Sequence, residues 1–250
     1  MEIHIDADDG DWNKVKVDGE VLENKRTIHL IEDKNYGKFD VDVHHGNIKL
    51  TGGSNYDLEI EVYENVPDDV TLFIEEGILT GETKSGDPYA IGEITGTLPK
   101  NASIIIDNGA GNITIQDIQN KNATIIIDIG AGNVDIRDCT VHEIDIDNGA
   151  GNFGIAYIRA EEIDIDVGAG NIDLNEVISR EIGCDTGAGN IKANKSAAYY
   201  IDLDTGVGNI SVHGCQFREE RFSTGVGRVN KSGNTYLEKP EDEWEEKEVY

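Results

Sequence analysis

The chain has 250 residues, of which 50 are Asp or Glu and 21 Lys or Arg, for a formal net charge of −29. A field this negative repels phosphate backbones and anionic headgroups, which excludes nucleic acid and direct binding to anionic membranes. No apolar run reaches the length of about 18 residues that a membrane helix needs, and Met1-Glu-Ile-His-Ile-Asp6 does not read as a secretory signal.

Residues 1–38 have strand character at Val15, Val17, Ile28, Leu30 and Ile31 but no regular turn, and are expected to form an N-terminal strand cap. Phe39 to Val43 followed by Gly46-Asn47-Ile48 is the first strand–turn–strand unit, and Val70 to Leu79 reads as another. Lys84 to Pro88, with Gly86, is predicted to be a loop inserted between coils, and Ile94 to Lys100 leads into the regular array. From about residue 104 the chain repeats one turn seven times, as G-A-G-N, then G-V-G-N, then G-V-G-R. The leading glycines are Gly109, Gly130, Gly149, Gly168, Gly187, Gly206 and Gly225, one step of 21 residues and then five of 19. A fixed period of about 20 with strands between turns is the mark of a solenoid. Residues 39–238 are therefore expected to be an all-β, single-stranded parallel β-helix with about 19 residues per coil, nine or ten coils in all. Residues 239–250 read as an acidic C-terminal tail.

Within one coil, Ile144 and Ile146 alternate with Asp145 and Asp147, Asn148-Gly149-Ala150-Gly151 turns the chain, and Phe153 and Ile155 resume the alternation. Stacking turns each slot into a column: Ile104, Ile125, Ile144, Ile163, Ile182, Ile201; Ile106, Ile127, Ile146, Ile165, Cys184, Leu203, Phe222; and Ile113, Val134, Phe153, Ile172, Ile191, Ile210, Val229. The corner asparagines Asn112, Asn133, Asn152, Asn171, Asn190 and Asn209 are predicted to form an amide ladder that ends at Arg228. Cys139 and Cys215 share one slot four coils apart, roughly 19 Å, too far for a disulfide, so the cysteines are expected to be small buried hydrophobes.

Phe39–Leu50 and the run Leu98-Pro99-Lys-Asn-Ala-Ser-Ile-Ile-Ile-Asp-Asn-Gly-Ala-Gly-Asn-Ile113 resemble the β-strand-repeat family of bacterial "putative adhesins", over roughly residues 36–230. The resemblance implies a right-handed β-helix in an envelope protein held by a neighbouring transmembrane segment. It supplies no catalytic residues.

The acidic rows are the main candidate for chemistry. Asp107, Asp128, Asp147, Asp166, Asp185 and Asp204 run outward in register to Ser223, beside a second row with Asp145, Asp164 and Asp202. Like charges about 4.8 Å apart need compensation. The preferred reading is that each Asp caps its glycine turn. The alternative is Ca²⁺ held by Asp145, Asp147, Asp164 and Asp166, although these coils lack the nonapeptide of calcium β-rolls. Weak, non-stoichiometric Ca²⁺ screening on the ladder is expected instead of a metal site, and no cofactor is. Carboxylate pairs at glycosidase distance are inevitable here and carry no information, while short coils leave no walls for a substrate cleft. His4, His29, His44, His45, His142 and His213 lack zinc spacing, with His44-His45 replacing a corner Gly-Ala. Gly225 to Ser232 misses the phosphate-loop pattern at Asn230. Tyr157 with Tyr199-Tyr200 is a candidate sugar-stacking patch.

The expected function is a non-enzymatic cell-envelope β-helix module, adhesin-like or a spacer, extracytoplasmic and anchored by a segment outside this chain. Its partner would be a glycan or an envelope protein, and a monomer is expected because charge crowds the last coil at Glu220, Arg221 and Glu238. The alternatives are a cytoplasmic self-assembling scaffold and a carbohydrate-active enzyme.

Overall fold

Alternation of β-branched and acidic residues with glycine every nineteenth position leaves the backbone one good solution, in which each strand pairs with its own copy a coil later. The computed structural model describes residues 3–4, 15–17 and 20–237; the expected acidic tail, 239–250, lies outside them. Among the described residues there is no helix, and the chain is a parallel β-solenoid of about seven turns spaced about 19 residues apart. Each turn gives a long strand to one eleven-stranded sheet and a four-residue strand to a second, for example Glu143–Ala150 and Phe153–Ala156.

The predicted columns are the core. Ile104 pairs with Ile125, then Ile144, Ile163, Ile182 and Ile201, all 1% exposed or less. The facing wall adds a column not singled out from the sequence: Ile115, Ile136, Ile155, Leu174, Ala193 and Val212. A further buried file at the third corner runs through Ile118, Cys139, Ile158, Val177, Ser196 and Cys215. The three cysteines are free and buried, as expected.

Phe39–Val43 and Ile48 do form the first rung, in strands Lys38–Val43 and Ile48–Gly53 paired with Ser103–Ala110 and Ile113–Gln116. Residues 70–79 are not a coil. Val70–Glu75 and Ile78–Thr83 are an antiparallel hairpin. Its two-residue turn, Glu76-Gly77, has φ of 49° and 84°, the positive pair a tight hairpin demands. That hairpin is one reason the turns number fewer than the nine or ten expected. Lys84–Pro88 is a loop, but it joins the hairpin to strand Tyr89–Pro99, with Asp69 accepting the amides of Lys84 and Ser85. Tyr89–Pro99 pairs parallel with Ile48–Gly53 and antiparallel with Tyr56–Glu64, which in turn pairs with Asn24–Glu32. The parallel array therefore begins beneath antiparallel strands. Glu64, 1% exposed, anchors this end by accepting Arg26 Nε at 2.7 Å and the amides of Asp68, Asp69 and Val70.

The other end closes by charge. In the last turn Glu220 takes the slot of Ile201 and Lys231 that of Val212, both inward positions in earlier coils. Lys231 Nζ lies 2.6 Å from Glu220 Oε1, which also accepts the Tyr236 hydroxyl at 3.0 Å, and the ammonium sits over the Phe222 ring. Inward charge at a sheet edge blocks further pairing.

Candidate functional site

The outward aspartates stand in register as predicted, Asp42 to Asp107, Asp128, Asp147, Asp166, Asp185 and Asp204, then Ser223. In the second row Asp145 pairs with Asp164, but Gly183 interrupts before Asp202 and Arg221. The missing side chain leaves a basin of about 270 Å³ among Asp164, Asp166, Asp185, Asp202 and Asp204, closed by Arg221. Asp145 and Asp147 do not line it. Arg221 reaches Asp202 Oδ2 at 3.0 Å, and Tyr200 donates to the same oxygen at 3.3 Å. Among the described residues no group of three or more His, Cys, Asp or Glu side chains could hold a metal ion.

The aspartates do not cap the glycine turns. The amide of each second glycine is already taken by the next coil: Gly111 N donates to Ala131 O, Gly132 N to Ala150 O and Gly151 N to Ala169 O. The side chains that reach the turns belong to the next residue along, which points inward. Asn108, Asn148, Thr186, Thr205 and Thr224 donate to the carbonyls of Gly46, Gly132, Gly170, Gly189 and Gly208 at 2.9–3.1 Å. Asn108 and Asn148 are fully buried, and their Oδ1 atoms have no described partner. A buried acceptor left unpaired costs about 1–3 kcal/mol. Asn148→Thr keeps the donor and removes that acceptor, so it is expected to raise unfolding free energy by about 1 kcal/mol in urea titration. A loss of stability would show that Oδ1 is satisfied in solution.

The corner asparagines are structural, as expected, and the ladder starts one rung earlier than predicted. Each Nδ2 donates to Oδ1 of the preceding Asn at 2.9–3.2 Å, from Asn112 on Asn47 to Asn209 on Asn190. Each Oδ1 also accepts the next backbone amide, the last being that of Arg228.

Uncompensated acid rows make stability depend on pH. Partial burial, reinforced by Asp42 and Asp128, pushes the Asp107 carboxyl up; burial with Asp166 and Asp145 does so for Asp164, and burial with Asp204 and Asp166 for Asp185. A carboxyl raised on folding binds more protons in the folded state. Its stabilising contribution is full below the unfolded value of about 3.9 and is lost as pH rises through the folded value. The melting temperature should therefore rise as pH falls from 7 into the acid range. Glu64 sets a lower limit: burial pushes it up, but Arg26 and its amides hold it lower overall, so its contribution disappears as pH falls through its folded value. A melting temperature that falls steadily from pH 7 to 4.5 would contradict this ordering.

A concavity that was not foreseen lies at the third corner. It measures about 580 Å³ and runs beside Asp117, Asp138, Tyr157, Glu176 and Lys195. All five have left-handed backbone, with φ of 59°, 57°, 59°, 55° and 49°, a conformation costing an L-residue about 1–2 kcal/mol. Gly214 and Gly233 hold the same slot in the last two turns, at φ of 64° and 67°. Gln119, Thr140, Arg159 and Ile178 also line it. Tyr157 is 54% exposed. The predicted tyrosine patch is divided. Tyr199 and Tyr200 lie in strand Ala197–Val207, two turns beyond Tyr157, with the Arg218 guanidinium over the Tyr199 ring. Cys139 borders the groove, but its thiol is pushed up to about 12 by burial and stays protonated at neutral pH.

Stacked glycine turns, an asparagine ladder and an Ile/Val core around a parallel array define a β-solenoid that carries its aspartate rows on the outside. The chain belongs to the family described as Toastrack DUF4097, which it matches over residues 1–248. No curated protein matches it. Among solved structures it is similar to a putative adhesin from Bacteroides fragilis, 19% identical over 82% of this chain and 97% of that one, with a TM-score of 0.55. It is also similar to a putative adhesin from Parabacteroides distasonis, 15% identical over 83% and 96%, TM-score 0.46. A putative cell adhesion protein from Clostridium sporogenes is 12% identical over 85% and 99%, TM-score 0.30. The first of these likenesses is one of fold.

Proposed function

We propose that the protein is a non-enzymatic module of the bacterial cell envelope that binds laterally, in the manner of an adhesin. The descriptions of the similar solved structures give this reading its direction. The observation that carries it is the closure of the stack by Glu220 and Lys231. An array that cannot extend from that end presents its sides, whereas a filament-forming scaffold needs open ends. The module works as a monomer, held outside the cytoplasm by a segment beyond this chain, and divalent cations such as Ca²⁺ only screen its acid rows.

Two measurements test this. Protease added to intact cells of the source organism, followed by fractionation, is expected to digest the protein in the membrane or surface fraction; full protection in the cytosol overturns the envelope assignment. Replacing both Glu220 and Lys231 by Leu is expected to convert a monomer into concentration-dependent oligomers by analytical ultracentrifugation. A wild-type protein that already forms filaments would favour the scaffold.

A further inference from the structure

We propose that the groove at the third corner binds a neutral glycan chain laid along the solenoid axis, with Tyr157 as its stacking platform. This rests on the adhesin-like reading and names its ligand class. The groove volume of about 580 Å³ falls in the range of pockets that hold small organic ligands. Five successive turns place a side chain where glycine, used at 214 and 233, would relieve the left-handed backbone. Retained strain of this kind collects at binding sites, because the side chain is worth more than the relief. Among the five is a tyrosine more than half exposed, on which no described ring or cation stacks. Its apolar face suits the C–H face of a pyranose, and its hydroxyl stays free to hydrogen-bond.

The charge balance selects the ligand. In a chain of net charge −29, the groove sets Asp117, Asp138 and Glu176 against Arg159 and Lys195, a local sum of −3 + 2 = −1. Glu176 and Lys195 pair at 3.2 Å, while Arg159 makes no ion pair among the described residues and is left to donate outward. A cation would prefer the Asp rows and an anion would meet the acidic field, so a polyhydroxylated neutral chain fits this stretch best. The rim repeats every strand spacing, about 19 Å from Asp117 to Lys195, which matches a polymer better than a single small molecule.

The test uses the whole protein on immobilised neutral polysaccharides (glucan, mannan and galactan), with Tyr157→Gly and Arg159→Ala beside wild type. Retention of wild type on at least one of them is expected, unchanged in 0.5 M salt because the ligand carries no charge. Tyr157→Gly should bind about tenfold more weakly while melting no lower than wild type, since glycine accepts φ near 59° without strain. Binding to isolated cell envelopes, measured in parallel, separates the two readings. Wild type that binds envelopes but no neutral polysaccharide, or Tyr157→Gly that binds as well as wild type, overturns the groove and leaves the adhesin-like function standing. Binding abolished by salt assigns the surface to a charged partner such as a basic peptide and also overturns it. Wild type that binds neither polysaccharide nor envelope overturns both.

Discussion

Gly151→Ala is expected to destabilise the protein by about 4 kcal/mol or more, among the largest effects a single methyl can have. The added Cβ would stand 1.7 Å from the carbonyl oxygen of Gly132 and 2.6 Å from its carbon, both rigid backbone atoms of the preceding coil. The backbone adds a second obstacle, because φ at Gly151 is 150°, a region left almost entirely to glycine. Neither problem has a local remedy. Separating the two coils would break the Gly132–Ala150 hydrogen bond and the Asn133–Asn152 rung of the ladder. The control lies three residues away in the same coil. A Cβ on Gly154 meets nothing within 4 Å, so Gly154→Ala should be neutral or stabilising by up to about 1 kcal/mol. Equal effects of the two substitutions in urea titration would show that inter-coil approach is not what fixes glycine at 151.

Ile146→Asp should abolish the cooperative fold at neutral pH. Ile146 is 1% exposed and packed in register between Ile127 and Ile165. An unpaired carboxylate there loses its hydration, with a penalty of about 5 kcal/mol or more, and the apolar contact vanishes with it. The sign of the pH dependence is fixed. The new carboxyl would have a strongly raised folded pKa, so stability should return as pH falls and be lost as it rises. Asp147→Asn, one residue on and exposed, is expected to be tolerated or slightly stabilising, because it removes a charge between Asp128 and Asp166. A near-wild-type melt for Ile146→Asp at pH 7 would mean that the strand faces the other way.

What was legible before the structure follows from repetition. Any slot's neighbours are the same slot 19 residues away, so a column read from the sequence is already a list of contacts. The inward isoleucines, the asparagine ladder, the acid rows and the isolated cysteines needed no further information. The hairpin at 70–83 was misread because a hairpin strand and a coil strand share period-two alternation. The signal that separates them is the Glu76-Gly77 turn, which closes two strands within two residues where a coil needs a corner. Turn capping was assigned to the wrong residue for a related reason. Asp147 is near the turn in sequence, but Asn148 shares the parity of Ile144 and Ile146 and so lies beneath it. The corner groove left one trace, Gly214 and Gly233 a full period apart, from which the left-handed slot could have been followed back to Tyr157.

By itself the sequence determined the architecture: its period and its inward columns. Each of these depends only on parity and a constant offset, which no longer-range packing can change. Tertiary structure alone decided which partner Glu220 meets in the last turn, which side chains hold the turns and where the surface opens. Those outcomes depend on what stands in the adjacent coil. Glu220 and Lys231 neutralise each other across the last turn, glycine carbonyls pass within contact distance of the next coil, and the single gap at Gly183 turns a row of carboxylates into a basin.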